Sequence, residues 1–192
     1  MAGLDVRKIL AEDGALLDGH FILRSGMHSP NYLQCAKVLQ HPDHADALVR
    51  RLAAKMKGTA VDAVVGPAIG GIIVAYELAR ALKCRGIFAE RVDDAFTLRR
   101  GFEIAPGEKV VVAEDVITTG GAAQEVVALV RSCGGVPVAV AALVNRSGRD
   151  PFDTPFYFLY EFEAPTYDAA GCPLCKKGIP LEKPGSRVEA KK

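Results

Sequence analysis

Short apolar runs alternate with helix-like segments along most of this chain. The runs are rich in β-branched residues, which is typical of strands buried on both faces of a parallel sheet, whereas the other segments carry apolar residues at helical spacing. The predicted strands are 61–65, 86–90, 110–113, 136–145 and 156–162, and the predicted helices are 45–56, 72–82 and 122–131. This alternation predicts an α/β fold with a Rossmann-like parallel sheet flanked by helices.

The first forty residues follow a less regular pattern. Apolar positions between Val6 and Leu17 predict a short amphipathic helix that ends in a turn at Asp18-Gly19. The apolar run 21–23 predicts a strand, and the polar residues 24–29 predict a turn after it. That turn carries Arg24 and is either an exposed edge hairpin or part of a binding site.

Composition changes this picture little but excludes several function classes. The chain has 192 residues, enough for one domain, with 49% hydrophobic and 24% charged residues. The net charge of +1 creates no field that favours nucleic acid or an anionic membrane. No apolar run is long enough to span a bilayer, and residues 1–10 lack the apolar centre of a signal peptide. Five cysteines without a dense framework indicate a reduced, cytoplasmic setting.

One stretch combines acids, threonines and glycines directly after a predicted strand. Glu114 and Asp115 follow the run 110–113, and residues 118–121 read Thr-Thr-Gly-Gly before a predicted helix. Backbone N–H groups at a helix N-terminus attract anions, and glycine lets a phosphate approach closely. Two carboxylates would repel that phosphate, so a sugar diol or a cation is their expected partner. An ordinary strand–turn–helix with solvated acids is the alternative.

Other candidate residues fall at the ends of other predicted strands. The glycine-rich turn 66–71 follows one strand, Arg91 follows the next, and Arg146 follows the strand 136–145. Ligands of parallel α/β sheets bind beyond the carboxyl ends of the strands. We therefore expect these residues and the 114–122 segment to converge on one site.

Residues 91–108 form a long polar connection. It contains Thr97, Arg99 and Arg100, and arginine is well suited to phosphate or diphosphate. A connection of this length in a compact domain is usually a functional lid or a disordered segment. We expect a lid that closes on an anion, with a solvated hairpin as the alternative.

The tail carries a pair of cysteines, Cys172 and Cys175, with the spacing of a zinc knuckle. A tetrahedral zinc site needs two more ligands, which Cys133 or a histidine could supply. Without a second Cys-x-x-Cys pair, the sequence favours a small packed turn over a metal site.

The acidic pair with its small-residue loop resembles the binding motif of the type I phosphoribosyltransferases. Segments 21–30, 66–71, 114–122 and 145–146 also occur in the order seen in the orotate-specific branch of that family, and the tail 172–187 is similar to that of bacterial members. The resemblance implies the type I fold, with a small hood from the N-terminal segment and a long flexible lid loop. It implies a single domain over 1–192, divided into hood 1–40, core 41–163 and tail 164–192.

The resemblance also implies an activity, namely transfer of the phosphoribosyl group from 5-phosphoribosyl 1-diphosphate to orotate in pyrimidine synthesis. Contacts to the phosphoribosyl donor are implied for Arg24, Arg91, Glu114, Asp115, Val116, Ile117, Thr118, Thr119, Gly120, Gly121 and Ala122. Contacts to orotate are implied for Thr118, Arg146 and Tyr32, a diphosphate loop for Ala68, Ile69 and Gly70, and catalytic roles for Asp115, Arg99 and Arg100. Magnesium is expected to arrive with the substrate rather than on protein ligands, and the family suggests a homodimer.

One departure from the family concerns the lid. Many members place a lysine after the arginine that corresponds to Arg91, and more lysines and a histidine later in the lid. Here Val92 follows Arg91, and residues 92–108 contain no Lys or His. We expect Arg99 and Arg100 to neutralise the departing diphosphate instead. A purine-base transferase and a non-catalytic, nucleic-acid-binding regulator of the same fold are the alternatives. Arg146 argues against the first, and the low net charge argues against the second.

Overall fold

The structure, a computed structural model, describes residues 5–23 and 25–184. Its helices and strands are α1 Val6–Glu12, β1 Leu16–Ile22, β2 His28–Leu33, α2 Ala36–Leu39, α3 Pro42–Lys55, β3 Ala63–Pro67, α4 Gly70–Leu82, β4 Arg85–Val92, β5 Ala95–Leu98, β6 Lys109–Ile117, α5 Gly121–Ser132, β7 Val136–Asn145, β8 Phe156–Glu161, a 3₁₀ turn Ala169–Gly171, and α6 Pro173–Lys176. No helix in these ranges is long and apolar enough to cross a membrane.

A six-stranded sheet in the order β5-β4-β3-β6-β7-β8 forms the centre of the molecule. Every neighbouring pair is parallel except β4 and β5, which are antiparallel. Alternate residues of β6 point to opposite faces, so Val111 packs in the core layer with α3 and α4, and Val112 packs in the layer with α5. Because both faces are covered, the buried stretches of β3, β6 and β7 are apolar, as the sequence predicts.

The predicted core elements are confirmed, whereas the N-terminal prediction is partly wrong. The segment expected to be one helix ending at Asp18-Gly19 is a helix only to Glu12, and β1 begins at Leu16. Strand β1 pairs with β2 in a separate two-stranded sheet, with Leu16 opposite Leu33. Leu16 and Leu17 therefore belong to the first strand of a hairpin rather than to the helix.

The connection 91–108 is more ordered than a simple loop. Strand β4 extends to Val92 and turns back through Asp93 and Asp94, whose φ angles are +47° and +65°, into β5. Two residues with positive φ form the tight turn that suits a twisted hairpin. The first half of this connection is therefore a hairpin, as in the alternative given above. That it closes on an anion as a lid stays a prediction.

The tail packs against the N-terminal hairpin. Tyr167 forms a bridge with His28, and Glu182 forms a bridge with Phe21. The tail therefore adds a strand-like contact to each edge of the β1–β2 sheet.

Candidate active site

The acidic pair lies inside β6, close to its carboxyl end. The strand continues past Glu114 and Asp115 to Ile117, which pairs with Asn145 of β7, so the strand is longer than the sequence predicted. The backbone N–H of Val116 donates a hydrogen bond to Asp115 Oδ1 over 2.9 Å. No lysine or arginine within the described ranges forms an ion pair with either carboxylate.

Burial perturbs both acids. Desolvation, together with the negative charge and hydrogen bond of Asp115, raises the pKa of Glu114 from its usual 4.5 to about 8. Desolvation also raises the pKa of Asp115, although the Val116 N–H partly opposes that shift. Two adjacent carboxylates without a cation are unfavourable when both are ionised, so hydroxyl donors or a divalent cation would stabilise them. Carboxylate oxygens are also the ligands that magnesium prefers, which fits a substrate-borne ion near this pair.

The loop after β6 leads directly into helix α5. Gly120 has a φ of +84° and precedes the first helical residue, and the N–H of Gly121 donates to Thr119 Oγ1 over 3.3 Å. A Cβ on Gly120 would lie 2.8 Å from Pro151 Cγ, so both conformation and space require glycine there. Thr118 and Thr119 are exposed at the N-terminus of a twelve-residue helix. This arrangement can hold a phosphate.

The glycine-rich turn between β3 and α4 packs tightly against β6. A Cβ on Gly66 would lie 2.2 Å from the carbonyl oxygen of Gly71, and a Cβ on Gly70 would lie 2.8 Å from Asp115 Oδ1. The backbone at the start of α4 is therefore so close to the Asp115 carboxylate that no side chain fits between them. Ala68 donates its N–H to the carbonyl of Ala89, and the side chain of Ile69 is 85% exposed. The structure thus brings residues 68–70 to the same edge as Asp115.

Arg146 lies at the end of β7, beside the end of β6. Its backbone N–H donates to the carbonyl of Ile117 over 2.7 Å, which places it next to Thr118. Its guanidinium carbon is 5.7 Å from the centre of the Phe162 ring. Burial lowers the pKa of Arg146, while nearby Tyr32 and Cys35 act in the opposite direction. The charge of Tyr32 thus acts on Arg146, so the β1–β2 hairpin and the end of β7 face the same region.

Cys35 and Phe162 are site neighbours that sequence reasoning missed. Cys35 is buried, and desolvation followed by the charge of Asp115 raises the pKa of its thiol. It follows the β1–β2 hairpin as the residue directly before α2 and belongs to the same core cluster as α3 and α4, so only the three-dimensional fold brings it near Asp115. Phe162 directly follows β8, and its position beside Arg146 depends on the pairing of β8 with β7.

Arg91 lies at the end of β4 and points toward the start of α5. Its guanidinium is 3.0 Å from Glu125 Oε2, donates to the carbonyl of Asp94, and stacks 4.2 Å from the centre of the Phe96 ring. Glu125 is in the first half of α5, which starts at the phosphate-type loop. Arg91 is therefore at the expected edge of the sheet but already has carboxylate and carbonyl partners.

The other lid arginines lie farther from the acidic pair. Arg100 forms two hydrogen bonds of 2.9 Å to the carboxylate of Glu90, and Arg99 is exposed, with no hydrogen-bond partner in the ranges that the structure describes. The β5 strand before them is separated from β6 by β4 and β3, which corresponds to roughly 14 Å at the usual strand spacing. Within one chain the structure does not bring Arg99 and Arg100 to Asp115. Arg24 lies outside the described residues.

Comparison with known proteins agrees with this geometry. The model of the phosphoribosyl transferase domain matches residues 36–169. An orotate phosphoribosyltransferase of Caldanaerobacter subterraneus subsp. tengcongensis is 55% identical over 170 residues, which are 88% of this chain and 90% of that protein. One from Carboxydothermus hydrogenoformans is 51% identical over 187 residues, covering 96% of this chain and 98% of that protein.

A solved structure is similar as well. The crystal structure of orotate phosphoribosyltransferase from Aeropyrum pernix superposes with a TM-score of 0.65 at 25% identity, covering 82% of this chain and 93% of that one. The acidic strand end, the loop before α5 and the glycine turn all lie within the matched domain. The chain therefore belongs to the phosphoribosyl transferase domain family, among the orotate phosphoribosyltransferases.

Proposed function

We propose that this protein transfers the phosphoribosyl group of 5-phosphoribosyl 1-diphosphate to orotate, releasing orotidine 5′-monophosphate and diphosphate in pyrimidine synthesis. One observation carries the proposal. A largely buried acidic pair, without a cationic partner in the described residues, shares the carboxyl edge of the sheet with a helix N-terminus suited to phosphate and with the partly buried Arg146. A ligand with a diol, a phosphate and a neighbouring carboxylate matches that arrangement.

In this proposal the loop and the acidic pair hold the sugar phosphate. Residues 116–122 bind the 5-phosphate through backbone N–H groups and the hydroxyls of Thr118 and Thr119. Glu114 and Asp115 accept hydrogen bonds from the ribose hydroxyls. As diphosphate departs, positive charge develops at the anomeric carbon, and the carboxylate of Asp115 stabilises it electrostatically. Most of the remaining catalysis is positioning of the two substrates.

Orotate binds beside this loop. Arg146 offers two parallel N–H donors to the orotate carboxylate, and its partial burial strengthens that interaction. Tyr32 covers the base, and Thr118 contacts it from the loop. A purine has no carboxylate for Arg146, which supports orotate as the acceptor.

The diphosphate is held on the other side of the acidic pair. The backbone of Ala68, Ile69 and Gly70 contacts it, and Arg91 and Arg24 supply positive charge. Magnesium carried by the diphosphate would supply further positive charge to the leaving group, beside the backbone of residues 68–70 and the two arginines of the chain. Binding of that ligand would replace the local carboxylate partner of Arg91, Glu125.

The lid arginines act across a dimer in this proposal. Because β5 is far from β6 in its own chain, we infer that the β4–β5 hairpin and the residues directly after it carry Arg99 and Arg100 into the site of a second copy. The protein is then a cytoplasmic homodimer of single-domain chains, with hood, core and tail at 1–40, 41–163 and 164–192. A mixture of Asp115→Asn and Arg99→Ala chains would regain activity if each site takes residues from two chains.

A substrate panel tests the proposed activity. The full chain would be given saturating phosphoribosyl diphosphate and magnesium with orotate, adenine, guanine, xanthine or uracil, and diphosphate release would be followed. We expect release with orotate alone. Release only with a purine would keep the fold and reject the base assignment. Binding of the sugar diphosphate without release with any base would favour a regulator, which a salt-sensitive retention on nucleic acid would support.

A further inference from the structure

Two histidines of the N-terminal hairpin meet the two tail cysteines at one point. The possible ligand atoms of His20, His28, Cys172 and Cys175 all lie within 4.8 Å of one another. We propose that these four side chains form a tetrahedral zinc site that joins the tail to the hairpin. The proposal is independent of the transferase activity and takes up the metal-site alternative that the sequence leaves open for Cys172 and Cys175.

The distances fit one metal ion at the centre of the cluster. His20 Nε2 is 2.9 Å from His28 Nδ1, 3.5 Å from Cys172 Sγ and 3.7 Å from Cys175 Sγ, and Cys175 Sγ is 3.4 Å from His28 Nδ1. Around a tetrahedral zinc, bond lengths of about 2.0–2.1 Å to nitrogen and about 2.3 Å to sulfur put neighbouring ligands roughly 3.3–3.8 Å apart. Three of these four distances fall in that range and the nitrogen pair is closer, while no two ligand atoms are more than 4.8 Å apart, so small side-chain shifts would give the dimensions of a Cys₂His₂ site.

The protonation of His20 supports a metal over a set of hydrogen bonds. Its Nδ1 is 2.8 Å from the carbonyl oxygen of Ile179, which can only accept a hydrogen bond, so Nδ1 carries the proton. Nε2 then has a single lone pair, yet three polar atoms approach it. One lone pair accepts one hydrogen bond well, whereas a cation in the middle would satisfy all four groups. A carbonyl that fixes the tautomer of a histidine is a common feature of zinc sites.

The backbone holds the four ligands from both sides. His20 lies in the irregular stretch of β1 between Asp18 and Phe21, and its carbonyl accepts the N–H of Glu182 over 2.8 Å. His28 exchanges two backbone hydrogen bonds of 2.8 Å with Tyr167. The tail is thus anchored to the hairpin on either side of the cysteines.

Burial makes the cluster suitable for a structural ion. Cys172 is fully buried, and His20 and His28 are 1% and 4% exposed, while Cys175 is at the surface. Sulfur and imidazole ligands in tetrahedral arrangement favour zinc over magnesium or calcium. All four positions are filled by protein atoms, which is the pattern of a structural rather than a catalytic site. Binding would displace the two thiol protons and link tail docking to metal occupancy.

Metal analysis of the untagged full chain tests this site. After expression with zinc and dialysis, we expect about one zinc per chain by mass spectrometry, and X-ray absorption with sulfur near 2.3 Å and nitrogen at about 2.0–2.1 Å. Cys172→Ser and Cys175→Ser should lose the zinc. The matched control, Cys133→Ser, changes a partly buried cysteine outside the cluster and should keep it.

Measurements on the wild-type chain keep the test decisive if the cysteine variants fail to fold. Removal of the metal by a chelator should lower the thermal midpoint, and zinc should restore it. The proposal is overturned if the reduced metal-free chain takes up no stoichiometric zinc on reconstitution. It is also overturned if the absorption spectrum shows no sulfur ligand, or if the isolated protein holds a Cys172–Cys175 disulfide in place of the metal.

Discussion

In the described part of the chain, acidic side chains are largely buried and unpaired at the carboxyl edge of the sheet, whereas two arginines at the β4–β5 hairpin are exposed and paired. At the edge, Glu114 and Asp115 are largely buried and have no cationic partner within the described ranges. On the hairpin, Arg91 and Arg100 are exposed and already paired with Glu125 and Glu90. The acidic pair at the edge therefore gains a stabilising partner only when a ligand binds. The hairpin arginines must give up their present carboxylate partners before they can bind a ligand.

This difference assigns the two regions different tasks. Exposed ion pairs contribute little to stability because solvent screens them, so a diphosphate can replace them at little cost. The acidic pair lies inside β6, so its backbone is held by the pairing of β6 with β7, and Asp115 accepts a hydrogen bond from the N–H of Val116. The edge is accordingly a preformed site, and the hairpin is a segment that can change partners during turnover.

The largest expected effect comes from removing the charge of Asp115. Asp115→Asn keeps the size of the side chain but removes the negative charge beside the anomeric carbon, so we expect kcat/KM to fall on the order of 1000-fold. Steady-state diphosphate release measures it. Asp153→Asn, on an exposed ion pair with Arg131, is the control and should change little. A loss of only a few fold for Asp115→Asn would contradict a preformed catalytic edge.

A methyl group at Gly70 tests the close approach itself. In Gly70→Ala the new Cβ would lie 2.8 Å from Asp115 Oδ1, so α4 or the carboxylate must shift. A displacement of this kind at a catalytic group costs about 100-fold in turnover. Gly171→Ala has open space around its Cβ and serves as the control. Equal activity of the two variants would show that the Gly70–Asp115 contact is not required.

Elements that are encoded locally, including those of the preformed edge, could be predicted from the sequence. Features that depend on pairing between distant segments could not. Strand β7 has the predicted bounds, Val136–Asn145, because a run buried on both faces is apolar throughout. Helix α5 and the loop before it are likewise encoded locally. Leu16 and Leu17 fit a helix or a strand equally well, and only pairing with β2 decides between them. The cysteine–histidine cluster depends on contacts more than 140 residues apart along the chain.

Arg146 offers a test on the orotate side of the edge. Arg146→Lys keeps the charge but loses the two parallel donors, so the KM for orotate should rise about 10- to 100-fold. Binding of phosphoribosyl diphosphate, measured by calorimetry, should be nearly unchanged. Arg149→Lys is the matched control because Arg149 is exposed in the following turn. An equal loss of affinity for both substrates would place Arg146 outside the orotate site.

The hairpin arginines should have smaller effects. Arg99→Ala removes a side chain without a hydrogen-bond partner in the described ranges, and we expect kcat to fall about tenfold. Arg100→Ala should lower it less, because Arg100 must first leave Glu90. Arg50→Ala, on an exposed ion pair of α3, is the control for loss of surface charge. Unchanged turnover in both hairpin variants would reject the lid assignment.

The smallest expected effect is on stability and concerns Glu114. Its pKa in the folded chain is raised from 4.5 to about 8, so the folded state favours the protonated form. The resulting stability is present below pH 4.5 and is lost as the pH rises through about 8. Glu114→Gln is never ionised, so the free variant should melt at least several degrees above the wild type at pH 8 and show no such gain at pH 4.5.

With the ligand bound, the wild type should melt at a higher temperature than Glu114→Gln. Saturating phosphoribosyl diphosphate stabilises the wild type through binding, whereas Glu114→Gln binds it weakly and gains less. Melting curves at pH 8 with and without the ligand measure both effects, and Glu12→Gln on an exposed ion pair of α1 is the control. If the free variant were no more stable than the wild type at any pH, the acidic pair would not be strained without ligand. The charged groups of the edge, like those of the hairpin, would then be stable without a ligand.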